Sequence, residues 1–312
     1  MNSAKFFTDF EPYYETIAHV DLRMRVLGMD EPRYSILQTT VGQLGVQWAK
    51  EGSGQLSEGA TDRSAFGLYM QLNSLPRLLN GMILDPNAIV VLPPGAEFCF
   101  SCDHANSWLA LRVPTELLTD SGAASHDTLI NSVSVVRSCH DLSQKLRTTV
   151  LGYLRAINRT QSLSNSTLVS SLFGNEILTI ARKVCHQSAG IQLHSENKFS
   201  ALSQRYADIA KTAAEIIENS LDGSVSVAAI SKSLSVSERT LLTAFRSRFE
   251  MPPRRFIQSM RLNRARTILR QSTHPETFIQ DVAAECGFWD VGRFASRYSE
   301  LFGELPSQTL RR

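Results

Sequence analysis

Hydrophobic and polar positions along this 312-residue chain follow two different periods. From about Pro32 to Pro114, short apolar runs (YSILQTTV, FGLYMQL, AIVVL, AEFCFSC, SWLALRV) are separated by Gly, Pro, Asn and Asp, which predicts short strands and turns. PPGAEF at 93–98 predicts a turn entering a strand. Strands of this length and spacing predict a small β-barrel-like or sandwich domain. From about Asp141 the period becomes helical. Leu142, Leu146, Val150 and Leu154 or Ile157 share one face, and Leu168, Leu172, Ile177 and Ile180 repeat the pattern. An antiparallel helical pair is therefore expected over 141–186, covering the barrel or binding a second subunit. QSAGIQLHSENKFSA at 187–201 is polar and weakly periodic, as a linker would be, and from Tyr206 onward nearly everything reads as helix. The expected fold class is α+β, with domains at 1–195 (β-rich to about 120) and 205–312.

The last hundred residues contain a repeat. Ile230, Leu234 and Val236 match Val282, Cys286 and Phe288 at an offset of 52, and Leu241, Phe245, Phe249 and Pro253 match Phe294, Tyr298, Phe302 and Pro306 at 53. The second copy therefore carries one extra residue in its turn. Each copy predicts a short helix, a tight turn and a longer helix opened by a capping residue, Ser237 or Asp290. Ser231 and Ala283 are small where the two helices must approach. That grammar is a helix-turn-helix, at about 227–249 and 279–302, whose second helix enters the major groove.

Charge sharpens the picture. The whole chain carries only +2, but nine Arg residues and a single acid, Glu250, lie between Arg239 and Arg270. A solvated helix face normally mixes signs, so this run predicts a surface that neutralises phosphates. With Leu241, Phe245, Phe249, Phe294, Tyr298 and Phe302 turned inward, the outward residues are Arg239, Thr240, Leu242, Thr243 and Arg246 in one long helix. In the other they are Val291, Gly292, Arg293, Ser296 and Arg297. Arg reads guanine bidentately, Thr or Leu touches a thymine methyl, and Gly292 admits close backbone approach.

SVSERTLLTAF, RLNRARTIL (261–269) and DVAAECGFWDVGRFASRYSELFGELPS together resemble the AraC/XylS family of bacterial transcription regulators over about 205–312. The final segment is most similar to the subgroup containing toluate, benzoate and ethanolamine regulators. The resemblance implies paired helix-turn-helix units on a linker helix, RLNRARTIL, that bind successive major-groove segments of double-stranded DNA. Over the N-terminal half it lies in layout alone. It implies a cupin or jelly-roll-type effector domain, a small-molecule effector, RNA polymerase as partner, and homodimerisation. Two residues depart from the family pattern: Glu250 stands where Gly is usual and Ser231 where Ala is common. A left-handed backbone at Glu250 costs roughly 1 kcal/mol, so a differently shaped turn is expected there.

Other chemistry finds little footing. Cys99-x-x-Cys102-x-His104 lacks a second ligand cluster, and His19, His104, His126, His140, His186, His194 and His274 are scattered, so neither a metal nor a barrel enzyme is expected. Gly52-Ser53-Gly54 precedes no helix and reads as a turn. Trp48, Tyr69, Phe98, Phe100 and Trp108 are the candidate effector-pocket residues. No cofactor is expected. The odd count of five cysteines suits a reducing cytoplasm, and no apolar run is long enough to span a membrane. The expected function is a ligand-responsive, DNA-binding activator. The alternatives are a regulator answering to a protein partner through 141–186, or an enzyme with an appended DNA-binding domain.

Overall fold

The computed structural model describes residues 4–119, 132–137, 140–159, 166–195, 201–220, 225–272 and 277–311. His126 and His274 lie outside them, as do residues 196–200 of the expected linker. The N-terminal part is a single antiparallel sheet that curls into an open half-barrel rather than closing. Its strands are β1 (Lys5–Phe7), β2 (Val20–Val41), β3 (Leu44–Thr61), β4 (Ala65–Gln71), β5 (Leu78–Leu79), β6 (Met82–Ile83), β7 (Ile89–Leu92), β8 (Glu97–Ser101), β9 (Asn106–Pro114) and β10 (Ser134–Val136). The order is β10-β7-β4-β9-β3-β8-β5-β6, with β2 on β3 and β1 on β2.

Two strands are far longer than the punctuation predicts. β2 and β3 pair along their whole lengths through two register shifts, at Val26/Gly28 and Met29/Tyr34, which bend the ribbon instead of ending it. Gly52-Ser53-Gly54 is thus strand, not turn. Glycine is needed there for space: a Cβ on Gly52 would sit 1.9 Å from the Glu31 carbonyl oxygen, and one on Gly54 2.1 Å from the Asp103 carbonyl carbon.

Eleven helices follow in the described residues: α1 (Phe10–Tyr14), α2 (Thr115–Thr119), α3 (His140–Arg159), α4 (Thr167–Ser195), α5 (Ala201–Asn219), α6 (Val227–Ser233), α7 (Glu238–Phe249), α8 (Pro253–Gln271), α9 (Ile279–Glu285), α10 (Val291–Phe302) and α11 (Pro306–Leu310). None is long and apolar enough to cross a membrane. α3 and α4 form the expected pair and cover one face of the sheet with Leu146, Val150, Leu154, Ile177, Ile180 and Val184. Leu168 and Leu172 do not join them. They are 69% and 62% exposed, because Val169 and Phe173, one residue along, set the inward phase of α4. α4 also continues through Ser195, so the first part of the expected linker is helix.

The concave face of the sheet shares its core with the C-terminal helices. Phe10, Tyr13, Val26, Tyr34 and Phe100 form one cluster with Leu262, Leu269, Phe294, Tyr298 and Phe302. Cys99 lies in a neighbouring cluster with α5, α7 and α8, and burial pushes its thiol up to about 12.

Candidate nucleic-acid interface

The two helix pairs α6/α7 and α9/α10 close with the same hydrogen bonds. The Leu234 N–H donates to the Ile230 carbonyl, and the Val236 N–H to that of Ser231. Cys286 to Val282 and Phe288 to Ala283 repeat them 52 residues on. Ser235 and Gly287 both take positive φ, 53° and 76°. Each long helix begins at a side-chain cap: Ser237 accepts from the Thr240 N–H at 3.0 Å and Asp290 from the Arg293 N–H at 3.0 Å. Each ends in a left-handed residue, Glu250 at φ 58° and Gly303 at φ 71°. Ser231 and Ala283 are buried at the helix crossings.

Packing fixes which faces look outward. Leu241, Phe245 and Phe249 in α7, and Phe294, Tyr298 and Phe302 in α10, are buried. Arg239, Thr243 and Arg246 are exposed, with Thr240 and Leu242 half-buried, while Val291, Gly292, Arg293, Ser296 and Arg297 are all exposed. Thr240 and Thr243 hold the same helical positions as Arg293 and Ser296 in the other pair. Among the described residues, and apart from the helix's own backbone and the adjoining residues, a Cβ added at Gly292 would meet only the Asp290 carboxylate, at 3.4 Å, so that stretch of helix is open to close approach.

The arginine run does not form one phosphate-facing surface. Arg248 and Arg266 are buried, at 8% and 3% exposure. Arg255 pairs with Asp103 at 3.3 Å, Arg264 with Glu285 at 3.1 Å and Arg270 with Asp9 at 2.6 Å. Arg261 donates to the Val225 carbonyl at 3.0 Å. Arg239, Arg246 and Arg254 stay exposed.

Arg266 instead fastens the two halves of the chain together. Its guanidinium reaches Glu11 at 2.5 Å, Glu304 at 2.7 Å and Asp9. Burial opposes ionisation of Asp9, but its hydrogen bond with Glu11 and the charges of Arg266 and Arg270 outweigh it and hold the carboxyl at about 2. Burial raises Glu11. Nearby, Asn263 of α8 brackets Val26 of β2, accepting from its N–H at 3.0 Å and donating to its carbonyl at 2.9 Å.

Inside the half-barrel, Tyr69, Phe98, Phe100 and Trp108 line one cavity of about 110 Å³. Trp48 does not. It sits on the opposite face, in a groove with Leu37, Leu72 and Arg147, because successive strand residues alternate sides. Aromatic content alone missed the cavity's polar members. Glu51 accepts from Tyr13 at 2.6 Å and from Trp108 at 2.8 Å, and lies 3.8 Å from Arg77. Arg77 donates to Tyr69 at 2.8 Å and Asn106 at 2.7 Å. Its Nε, the Ser57 hydroxyl and Glu51 Oε2 are buried without hydrogen-bond partners among the described residues. The signal available in sequence was weak: Glu51 only borders the Gly52-Ser53-Gly54 stretch that reads as a turn, and Arg77 lies far from it along the chain.

A family model described as a helix-turn-helix domain matches residues 230–312. An activator of the XylDLEGF operon from Pseudomonas putida (numbered 3) is 34% identical over 98 residues, 31% of this chain and 30% of that protein. The activator RhaS of Escherichia coli strain SE11 is 27% identical over 136 residues, 44% of this chain and 45% of its own length. This chain thus spans less than half of either relative. Among solved structures, a probable AraC family transcriptional regulator from Rhodopseudomonas palustris is 30% identical, with a TM-score of 0.32, covering 34% of this chain and 96% of that one.

Proposed function

We propose that the chain belongs, through residues 230–312, to the AraC/XylS family of transcription regulators and is a sequence-specific DNA-binding activator. α6/α7 and α9/α10 act as two helix-turn-helix units, with α7 and α10 in successive major-groove segments. One observation carries this reading: two helix pairs with superposable hydrogen bonding both leave their polar faces exposed. Arg239, Thr240, Leu242, Thr243 and Arg246, with Val291, Gly292, Arg293, Ser296 and Arg297, then contact bases and phosphates. RNA polymerase is the onward partner. The test is binding of the full chain to duplexes enriched by selection from a random pool. Arg293→Ala lowers specific affinity about tenfold and reduces the salt slope by about one. An unchanged affinity and slope would remove α10 from the interface.

The half-barrel, of cupin or jelly-roll type, is the effector domain in this reading. Its small apolar cavity with unpartnered Arg77 Nε and Ser57 Oγ suits a ring-sized molecule bearing a hydrogen-bond acceptor. Occupancy would reach the DNA-binding half through Glu51, Tyr13 and α1, whose neighbouring Asp9 and whose Glu11 hold Arg266. A thermal-shift screen of small metabolites tests this, with stabilisation by one compound class expected. The exposed Leu168 and Leu172 on α4 offer a face for homodimerisation. Regulation by a protein partner is favoured by nothing as specific as the cavity, and an enzyme is disfavoured because the matched relatives are regulators.

A further inference from the structure

The extra residue of the second helix pair can be identified. Every backbone landmark up to Phe288 repeats the first pair at an offset of 52: the helix spans 227–233 and 279–285, the positive-φ residues 235 and 287, and the closing N–H groups of Val236 and Phe288. Every landmark from Asp290 onward repeats it at 53: the caps Ser237 and Asp290, the helices 238–249 and 291–302, and the left-handed residues 250 and 303. The inserted residue is Trp289.

Trp289 does nothing visible for the fold. The first pair closes the same turn without it, and Phe288, not Trp289, plugs the core between α9 and α10. At 87% exposure it is the most exposed of the large hydrophobic side chains among the described residues. Trp108 is buried and Trp48 half-buried, so the chain hides its other two indoles. A large apolar side chain held in water marks a contact with something else.

Its position selects the partner. Trp289 immediately precedes the cap of α10 and adjoins exposed Val291, side-chain-free Gly292 and Arg293, whose guanidinium lies 3.4 Å from Asp290. It is therefore continuous with the face that α10 presents in the reading above, at the end of the helix that enters the groove first. Indole offers a flat apolar surface and one N–H donor with no charge. A deoxyribose beside a phosphate at the groove edge matches both features.

We propose that Trp289 is a duplex-DNA anchor: its ring packs on a backbone sugar flanking the second major-groove segment and its Nε1–H donates to the adjacent phosphate. It positions α10 without reading a base. The inference rests on the DNA-binding reading, and adds a residue and a contact type present in only one of the two units.

The test uses the full chain and a fluorescein-labelled duplex enriched by selection. W289A is expected to weaken binding about tenfold and to leave the salt slope unchanged, since no cation is lost. That separates it from Arg293→Ala. W289F, which keeps a ring but loses the donor, falls between the two. Acrylamide quenching, with W289F subtracted, should show Trp289 accessible in the free chain and shielded at saturating duplex. Wild-type affinity in W289A with continued acrylamide access in the complex overturns the proposal, as does normal DNA binding combined with lost activation by RNA polymerase. If selection enriches no duplex at all, the DNA-binding reading falls with it. Enrichment with an indifferent W289A removes Trp289 alone.

Discussion

At the scale of single residues, the two helix pairs end their longer helices, α7 and α10, with the same left-handed backbone but different residues. Glu250 occupies the left-handed position that Gly303 fills in the second pair, and desolvation raises its carboxyl pKa, with Asp103 adding to the effect. Glu250→Gly relieves both strains and is expected to stabilise the chain by about 1 kcal/mol, read as a higher urea midpoint. A lower midpoint would mean the Glu250 side chain contributes a contact that outweighs its backbone cost. The caps work in the other direction. Asp290→Ala leaves the Arg293 N–H without its acceptor and is expected to cost about 1 kcal/mol, measured the same way. The caps were legible in sequence, because capping depends on neighbours along the chain; the left-handed Glu250 was not, since a residue with a Cβ argues for a differently shaped turn.

At the scale of elements, legibility depended on the distance between partners. The helix pairs could be read because Leu241, Phe245 and Phe249 repeat within one helix and recur in the next copy. The arginine run was misread because its partners are far away in sequence: Arg266 meets Asp9 and Glu11, and Arg270 meets Asp9. The lengths of β2 and β3 were hidden for a related reason. Glycines that look like turn residues make room instead for the Glu31 and Asp103 backbones. Leu168 and Leu172 show that a periodic face can be off by one position when a neighbouring set, Val169 and Phe173, satisfies the same spacing. Arg266→Ala removes the cation shared by Asp9, Glu11 and Glu304, leaving Arg270 beside the first two, and is expected to destabilise the chain by about 3 kcal/mol in urea unfolding. A phosphate-contacting Arg266 would instead leave stability intact and weaken DNA binding.

At the scale of the whole molecule, the half-barrel and the helical half share one core and one ionic clasp. Asp9 is held near a pKa of about 2, below its usual 3.8, so its contribution is fully present above about pH 4 and is lost as pH falls toward 2. Glu11, raised by burial, runs the opposite way, since its ionisation counts against the folded state. The stability difference between the wild type and Asp9→Asn is therefore expected to shrink as pH is lowered from 5 to about 3. A difference that is constant across this range would mean that Asp9 is not charged in the clasp. The clasp and the Tyr13–Glu51–Arg77 chain connect the half-barrel physically to the helical half, where the outward faces of α7 and α10 stay exposed. Footprinting the full chain on a selected duplex distinguishes two-unit binding from every other mode. Two adjacent major-groove segments about one helical turn apart are expected to be protected, with Arg293→Ala losing one of them and Arg239→Ala weakening the other. Protection of a single segment, or a footprint indifferent to both substitutions, would contradict two-unit binding.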